Sequence, residues 1–419
     1  MLCQGTGERG WWHTAPALFA ALLLRAASSA AADQLSITEF PIATTDSYPA
    51  CITTGPDGNL WFTEEYADNI GRITPGGTID EFPLPLVGSK PLCITTGPDG
   101  NLWFTEFKRK RIGRITPGGT IDEFLLPSMD TRYQTIGPWG ITKGPDGNLW
   151  FTVYEPDPGA EGAIGRISEN GTIREFPLPR ANTTAGEIAT GPDGNLWFTE
   201  RGAIARITPS GLIDEFTAPS IPEGITTGPD GNLWFLTWSL TTGYGIGQST
   251  TRGAVTSLPL ATAAPCNSHS ITTGPDGNLW FDCARGYDVN HESGAIVRMT
   301  PPGDVTEFPI PTATTPYGVT SGPDGNVWFT ERGCPSELGC NPVIPGKIGR
   351  LQLNPPCDCV GDCGGDGHVT VDEVLRMVNI ALGNAELSDC SPGDANHDGE
   401  ITIDEILTAV NSALNGCGG

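Results

Sequence analysis

Short apolar runs separated by Gly and Pro dominate the chain up to about residue 353, and they recur with a fixed plan. The segment GPDGN, followed by Leu-Trp-Phe or Val-Trp-Phe, occurs seven times, with its first Gly at 55, 97, 144, 191, 228, 274 and 322. The second repeat shows the plan in full: CITTG, the turn PDG, NLWFTE, a loop, IGRIT, the turn PGG and TIDEFLLP. This pattern predicts four short strands in every repeat.

The GPDGN segment predicts the hairpin between the first and second strands. Pro at the second turn position presets φ, Asp at the third bonds to nearby backbone, and Gly at the fourth accepts a left-handed conformation. The Trp and Phe that follow alternate along a strand, so they point to opposite faces. We expect one of the two rings to pack against each neighbouring sheet.

A period of 37 to 48 residues with four strands per unit is typical of a β-propeller. The outer-strand pattern first appears in SITEFPI at 36–42, ahead of the first inner strand, while the last repeat supplies three strands and ends in KIGRLQL at 347–353. One strand from the start and three from the end complete the last blade and leave no free sheet edge. The sequence therefore predicts an all-β seven-bladed propeller over residues 36–353.

The pattern changes after residue 353 to two acidic loops, each running into an amphipathic helix, VDEVLRMVNIALG and IDEILTAVNSALNG. The loops read DCGGDGHVTVDE and DANHDGEITIDE, and this spacing wraps oxygen ligands around one calcium ion. Gly364 stands at one ligand position of the first loop, where we expect water and a weaker affinity. Residues 354–419 are interpreted as a small α-helical Ca²⁺ module. Its predicted ligands are Asp362, Asp366, His368 (carbonyl), Thr370, Glu373, Asp394, Asn396, Asp398, Glu400 (carbonyl), Thr402 and Glu405.

Composition restricts the partners and the location. The 419 residues include 23 Lys plus Arg against 49 Asp plus Glu, a net charge of −26, which would repel a nucleic-acid backbone. The first 32 residues place Arg9 ahead of the apolar run APALFAALLL and a small-residue tract, which predicts a signal peptide, with Glu8 and Arg25 as departures from the pattern. That run is shorter than the ~20 residues that span a bilayer. We expect a secreted protein, extracellular or periplasmic, without a membrane span.

Twelve cysteines agree with an oxidising destination. Cys3 would leave with the signal peptide, so at least one of the remaining eleven lacks an intramolecular partner. Cys334 and Cys340 bracket a short loop and are the first predicted bridge, and Cys266 and Cys283 lie on neighbouring strands where a second bridge is feasible. Equivalent repeat positions do not decide whether Cys51 bonds to Cys93. The tail is predicted to be stapled by Cys357, Cys359, Cys363, Cys390 and Cys417.

The two faces of the predicted propeller differ in sequence variability. The PDG and PGG turns of one face hardly change, whereas opposite loops range from RGA at 201–203 to RGYDVNHESG at 285–294. A site is expected on this variable face around the central channel. The Glu that ends WFTE reaches it at Glu64, Glu106, Glu200 and Glu331. We favour a structural pairing with the Arg of the next strand over a ligand role; the predicted partners are Arg72, Arg114, Arg206 and Arg350.

The repeated GPDGNLWFTE, the following IGRITP and the strand EFPLP closely resemble the virginiamycin B lyase, or streptogramin lyase, family over residues 36–353. The resemblance implies Mg²⁺-dependent opening of a macrocyclic ester by elimination. It implies a site with a His in a PHG element of one blade, and an EPHG element plus the WFTE Glu of the next blade.

One histidine is found among the positions equivalent to the family's catalytic His: Ala50, Leu92, Trp139, Gly186, Glu223, His269 and Tyr317. If His269 is the first family histidine, the next blade offers Thr315 and Tyr317 and keeps Glu331. If it is the second, Asn267 and Cys283 replace the two Glu, and the preceding blade offers Glu223. His269 and Glu331 are the candidate catalytic residues, and the constellation is incomplete under both alignments.

The tail resembles dockerin modules, which attach exported proteins to cohesin receptors. Dockerins usually carry Asp where Glu373 and Glu405 stand, and a hydroxylic recognition pair where this chain has Val371-Asp372 and Ile403-Asp404. Calcium binding carries over from this resemblance, whereas cohesin binding does not. We predict a binding scaffold that takes an unidentified ligand on its variable face, with the tail as a calcium-stabilised attachment unit for a cohesin-like or cell-surface protein. The alternative is an active Mg²⁺-dependent lyase.

Overall fold

The computed structural model describes residues 35–127, 137–154, 162–180, 183–239, 243–260, 266–285, 294–300, 303–312, 314–334, 343–353, 360–363, 369–394 and 399–415. The predicted signal peptide, residues 1–32, lies outside them. Contacts within the chain define two compact units, of which one is Ser36–Leu353 and the other includes the chain from Asn354 onward.

Ser36–Leu353 is a seven-bladed propeller of four-stranded antiparallel sheets, as predicted. Blade 1 contains β2 (Pro49–Thr54), β3 (Leu60–Glu64), β4 (Asn69–Ile73) and β5 (Ile79–Pro83). Blade 2 contains β6 (Pro91–Thr96), β7 (Leu102–Glu106), β8 (Arg111–Ile115) and β9 (Ile121–Leu125). Blade 3 contains β10 (Gly137–Lys143), β11 (Leu149–Tyr154), β12 (Ala163–Ile167) and β13 (Ile173–Pro177).

The remaining blades repeat this order. Blade 4 contains β14 (Ala185–Thr190), β15 (Leu196–Glu200), β16 (Ala203–Ile207) and β17 (Ile213–Thr217). Blade 5 contains β18 (Ile221–Thr227), β19 (Leu233–Ser239), β20 (Gly243–Ser249) and β21 (Val255–Pro259). Blade 6 contains β22 (Ile271–Thr273), β23 (Leu279–Cys283), β24 (Ala295–Met299) and β25 (Val305–Pro309). Blade 7 contains β26 (Thr315–Ser321), β27 (Val327–Arg332), β28 (Lys347–Leu351) and β1 (Ile37–Pro41).

The ring closes through its last blade. Strand β1 pairs antiparallel with β28, with Ile37 opposite Leu351 and Pro41 opposite Lys347. The inner strands contact one another around the axis, including β2 of blade 1 with β26 of blade 7. The predicted closure, with one strand from the start and three from the end, is therefore confirmed.

The Asp of GPDGN holds the large core ring of its blade as well as shaping the turn. The carboxylate of Asp57 accepts the indole N–H of Trp61 at 3.0 Å and two N–H groups of Asn59 at 3.2 and 2.8 Å. Burial acts to raise the pKa of Asp57, but the bonds from Asn59 and Trp61 outweigh it and leave that pKa lowered. Gly58 has φ of +74°, the left-handed conformation predicted for this position. The indole bond recurs in all seven repeats.

The Trp and Phe of each repeat build the cores between blades. Trp103 of blade 2 shares a buried cluster with Phe151 of blade 3, and Trp150 of blade 3 shares the next cluster with Phe198 of blade 4. Each ring therefore faces a different neighbour, as predicted, and the alternation of a strand explains why. The same clusters make each blade depend on the two blades beside it.

The predicted pairing of the WFTE Glu with the Arg of the next strand is wrong. The antiparallel register places Arg72 opposite Trp61, three residues away from Glu64. Arg72 instead donates to Asp80 at 2.6 Å and to the carbonyl of Pro117, in a turn of the next blade, at 3.0 Å. This arginine therefore staples adjacent blades. The same bond to a carbonyl of the next blade is made by Arg114, Arg206 and Arg350.

The tail unit contains two helices, α1 (Val371–Ala381) and α2 (Ile403–Asn415), with 3-10 turns at Leu387–Asp389 and Ser391–Gly393. The helices contact each other around a small core, and a disulfide joins Cys363 to Cys390. The core residues are Val369, Met377, Cys390, Ile401 and Ala409. In the part of the chain that the structure describes, no helix has the length and apolarity needed to cross a membrane.

Candidate functional site

His269 lies two residues before the inner strand of blade 6, and Asp282 on the second strand holds it. The backbone N–H groups of His269 and Ser270 donate to one oxygen of Asp282 at 2.8 and 2.7 Å. The imidazole Nδ1 lies 3.5 Å from the other oxygen. The carboxyl of Asp282 is fully buried, whereas 26% of the His269 side chain is exposed. The imidazole also stacks on Tyr317 of blade 7, with ring centroids 4.8 Å apart.

Two glutamates of the preceding blades interact electrostatically with His269. Burial raises the pKa of Glu187, on β14, to about 7, while a hydrogen bond from Trp139 at 3.0 Å and the charge of His269 act to lower it. Burial also raises the pKa of Glu223, on β18, with His269 lowering it and Asp282 raising it. One oxygen of Glu223 is buried without a hydrogen-bond partner among the described residues. The channel therefore presents carboxyl groups suited to a proton or a cationic group.

Aromatic rings flank these groups at inner-strand positions. Trp139 packs against Phe107 and Tyr154, with centroids 5.9 and 5.3 Å apart. In blade 7, on another side of the propeller, the guanidinium of Arg332 lies 3.3 Å from the centroid of the Tyr317 ring. Trp139 and Tyr317 occupy positions equivalent to His269, so a ligand at this mouth meets apolar ring surface beside titratable groups.

Glu331 is fully buried at the end of β27. Its carboxylate accepts the hydroxyl of Thr314. Burial raises the pKa of Glu331 to about 7, with Thr314 and Lys347 lowering it and Glu39 raising it. Lys347 and Glu39 belong to the outer strands β28 and β1 of the same blade. The charges that act on Glu331 therefore come from its own sheet, whereas His269 interacts with Asp282 of its own blade and with Glu187 and Glu223 of other blades.

The two positions that Thr314 and Glu331 occupy in blade 7 have equivalents in the other blades, where the residue types differ. In blade 6 the equivalent residues are Cys266 and Cys283, which form a disulfide with Cα atoms 4.7 Å apart, as the sequence suggested. Every member of these pairs in blades 1, 2, 4, 6 and 7 is buried. In blade 7 the Glu of WFTE thus belongs to a contact between the ends of the first two strands. The sequence-equivalent pairs are Ser47 and Glu64, Ser89 and Glu106, and Thr183 and Glu200, and among the described residues the hydroxyls of Ser47 and Thr183 have no hydrogen-bond partner.

The sequence of the propeller matches known proteins at both the family and the structural level. Residues 29–136 and 131–291 match the profile described as the virginiamycin B lyase family. The chain belongs to the virginiamycin B lyase family. Virginiamycin B lyase from Staphylococcus aureus is 36% identical over 77% of this chain and 100% of that one, with a TM-score of 0.63.

Two further solved structures of lyases are similar to this family member. A catalytically inactive histidine-to-alanine variant of the S. aureus enzyme, with quinupristin, is 36% identical over 77% of this chain and 100% of that chain, with a TM-score of 0.64. A streptogramin B lyase is 34% identical over 76% of this chain and 98% of that one, with a TM-score of 0.64. A search of curated proteins gave no match.

The residues of blade 6 do not fit the magnesium ion that virginiamycin B lyase chemistry implies. Asn267 accepts the hydroxyl of Tyr244 at 2.7 Å and its backbone pairs with Ala284. Cys283 is bonded to Cys266. Neither position offers the carboxylate oxygen that magnesium prefers. Within the described ranges, no group of three or more His, Cys, Asp or Glu side chains is placed to hold a metal ion.

The described parts of the two tail loops have matching arrangements. The carboxylate of Glu373 accepts the backbone N–H and hydroxyl of Thr370 at 2.8 and 2.9 Å, and Glu405 does the same with Thr402. Asp394 accepts the N–H of Gly399 at 2.9 Å. The carboxylates of Asp362, Glu373, Asp394 and Glu405 are all buried. The other predicted ligands Asp366, His368, Asn396 and Asp398 lie outside the described residues.

Sequence reasoning missed Asp282 and Glu187. Asp282 occupies the third position of the WFTE segment, where five other repeats have threonine. That difference between repeats was a usable signal. Glu187 gave no such signal, because its relation to His269 depends on how blades 4 and 6 face each other across the ring. Further cysteine pairing also needed the structure, which bonds Cys51 to Cys93 and records Cys334 as disulfide-bonded, while Cys340 lies outside the described residues.

Proposed function

We propose that this propeller binds a small ligand at its channel mouth and does not cleave it. The observation that carries the proposal is the disulfide of Cys283 together with the engaged amide of Asn267, because they stand where the family resemblance calls for carboxylates when His269 is the second family histidine. Those two positions then supply no carboxylate oxygen to the cation that would stabilise a developing negative charge. If His269 is the first, Thr315 and Tyr317 stand in place of the second Glu and His. Recognition groups remain, and they favour binding.

The mouth combines aromatic surface with hydrogen-bonding groups. Trp139 and Tyr317 flank the ring, and His269, Glu187 and Glu223 lie between them in chain order. A few directed polar groups within apolar walls are typical of sites for small organic ligands. We therefore infer a ligand with an apolar or aromatic body and a polar group that reaches the acidic side of the channel.

Quinupristin, the compound in one related structure, is the first ligand to test. Isothermal titration should be run on wild type, Trp139→Ala and Glu64→Gln, and mass spectrometry should follow the compound with and without Mg²⁺. Binding that weakens in Trp139→Ala, persists in Glu64→Gln and leaves the compound intact supports the proposal. Glu64→Gln is the matched control because that carboxyl is buried within blade 1 and is not a candidate site residue.

An active lyase is the second candidate, because the chain belongs to the family and His269 has a carboxylate beside its ring. Magnesium-dependent linearisation of quinupristin that disappears in His269→Ala would establish this candidate and overturn the binding proposal. Retained linearisation in His269→Ala would assign the activity to other residues.

We also propose that the tail binds two calcium ions and serves as an attachment unit. Support comes from the buried carboxylates Asp362, Glu373, Asp394 and Glu405 and from the loop spacing. Calorimetric titration of the full chain with Ca²⁺ should show binding that falls by one site in Glu405→Gln. Identical titrations for the two proteins would contradict the assignment of the second loop.

Exposed apolar residues support a protein partner for this unit. Val371 and Ile403 are 72% and 75% exposed at equivalent positions of α1 and α2, and Leu375 and Leu407 repeat the pattern one turn later. Exposed apolar patches mark interaction surfaces. We propose a cohesin-like or cell-surface protein as the partner. Surface plasmon resonance against a purified cohesin, with Leu375→Asp plus Leu407→Asp as the variant, tests this.

We propose export for the same chain. The disulfides Cys51–Cys93, Cys266–Cys283 and Cys363–Cys390 favour an oxidising compartment. N-terminal sequencing of protein recovered outside the cytoplasm should begin near Asp33. A mature protein that retains residues 1–32 would contradict the signal-peptide assignment.

A further inference from the structure

Threonine at the third position of WFTE links neighbouring inner strands. The hydroxyl of Thr63 accepts the N–H of Cys51 in its own blade at 3.2 Å and donates to the carbonyl of Leu92 in the next blade at 2.5 Å. A hydroxyl can do both because it is donor and acceptor at once. The same two bonds are made by Thr105, Thr152 and Thr330.

Asp282 occupies this position in blade 6 and uses it differently. One carboxyl oxygen takes over the acceptor role, receiving the N–H of Ser270 and also that of His269. An ionised carboxylate has no proton for a carbonyl of the next blade, so the linking bond is given up. The second oxygen lies 3.5 Å from Nδ1 of His269.

A buried carboxyl at this position is expected to stabilise the blade less than the threonine of the sister repeats. Burial raises the pKa of Asp282, while the hydrogen bond and charge of His269 lower it. A buried carboxyl in place of a satisfied hydroxyl is unfavourable unless its partner uses it. The group that uses the carboxylate of Asp282 is the imidazole of His269. Of these two side chains, that of His269 is partly exposed and that of Asp282 is buried. A residue that is less stabilising than its counterparts in the sister repeats, as Asp282 is expected to be, is typical of a functional position.

We propose that Asp282 is a positioning residue, which holds a proton of His269 on Nδ1 so that Nε2 of the neutral imidazole accepts a hydrogen bond from a protonated amine of the bound ligand. The ammonium group of the ligand then takes the place of the imidazolium charge beside the glutamates. The ligand class rests on the proposed channel-binding function, whereas the state of His269 does not. Glu187 of β14 and Glu223 of β18 act on the same imidazole, and their carboxyl groups favour a cationic donor. Tyr317 of β26 fixes the plane of the ring through its stacking contact.

The test uses unliganded full-length protein, so it stands apart from the search for a ligand. Asp282→Thr gives blade 6 the residue of five sister repeats and is expected to fold at least as stably as wild type. Nitrogen-15 NMR should show His269 protonated on Nδ1 in wild type and a changed tautomer population in Asp282→Thr. Acylation of His269 by diethylpyrocarbonate, followed by peptide mapping, should slow by about fivefold or more in the variant.

The other histidines in the same samples provide the internal reference for acylation. Asp282→Asn provides a second variant of the same size if Asp282→Thr fails to fold. An unchanged tautomer and an unchanged acylation rate in a folded variant would overturn the positioning role. For the ligand class, benzylamine should bind more tightly than benzoate, and equal binding of the two would overturn the amine assignment while leaving the NMR result intact.

Discussion

Four glutamates that end the WFTE segment are buried inside their blades, against the usual preference of carboxylates for water. Burial raises the pKa of Glu64 to about 8 and those of the other three, Glu106, Glu200 and Glu331, to about 7. In each blade a second glutamate raises it further, and in three of them a cation opposes this: Arg111, Arg180 or Lys347. In blade 1 the neutral Asn69 bonds to Glu64 instead, which explains the higher value.

Glu64 should make the propeller less stable in alkaline solution. Its folded-state pKa of about 8 lies above the ordinary value of 4.5, so the folded protein holds a proton that the unfolded chain releases. Stability therefore falls as pH rises through this window. Glu64→Gln removes the linkage and should raise the free energy of unfolding by about 1–3 kcal/mol at pH 9. Urea denaturation from pH 5 to 9 measures this.

Glu106→Gln is the matched comparison, because a hydrogen bond of Ser89 and the charge of Arg111 oppose the rise that burial causes in the pKa of Glu106. A smaller gain is expected there. Equal pH dependence in wild type and Glu64→Gln would show that Glu64 is ionised in the folded protein at neutral pH.

At the scale of the blade, the contact between the ends of the first two strands is made by different residue types in different blades. The ends of the first two strands are joined by a hydroxyl and a carboxyl in blade 7 and by a disulfide in blade 6. Blade 6 still has the second glutamate, Glu307 on the outer strand β25, and this residue forms an ion pair with Arg285. The exchange keeps the strand ends together and replaces a buried carboxyl group with a disulfide.

The disulfide of blade 6 should contribute measurably to stability. Cys266 and Cys283 are 17 positions apart in the sequence, and a loop of this length predicts a stabilisation of about 3 kcal/mol. Cys266→Ser plus Cys283→Ser should lose about 2–3 kcal/mol in guanidinium denaturation. Cys266→Thr plus Cys283→Glu rebuilds the pair of blade 7 and should recover part of it. No loss in the double serine variant would contradict a stabilising role.

The elements were predictable from sequence wherever the deciding contacts are local. The turn of Gly58, the bond from the backbone of Asn59 to Asp57 and the alternation of Trp and Phe all act within a few residues. The partner of Arg72 was mispredicted, because strand register and the turn of the next blade decide it. The channel site was harder still, since Glu187 and Asp282 meet His269 only after the ring is assembled.

At the scale of the whole molecule, stability depends on closure. Each blade packs against its two neighbours, and the bonds of Arg72 and Thr63 to carbonyl groups also reach the next blade. A ring of such neighbour contacts is complete only when the last blade meets the first. Strand β1 supplies that final sheet edge through its pairing with β28.

Removing residues 35–42 should open the ring. Strand β28 would then present an unpaired edge, and Trp328 would lose the stacking ring of Phe40, 5.6 Å away. We expect the melting temperature to fall by at least about 10 °C, with oligomers in size-exclusion chromatography. Phe40→Ala keeps the strand and should cost less. A monomeric deletion variant with an unchanged melting temperature would contradict the role of β1.

The pairing of β1 with β28 also determines when the propeller can close during synthesis. The first strand of the propeller to leave the ribosome must wait for a partner made about three hundred residues later, an interval of roughly 15 to 60 seconds at ordinary translation rates. During that interval blades 1 to 6 can form in order while β1 stays without its sheet. The segment that finishes the fold is therefore among the first made, and a chain interrupted anywhere before residue 347 carries a strand that nothing in it can satisfy.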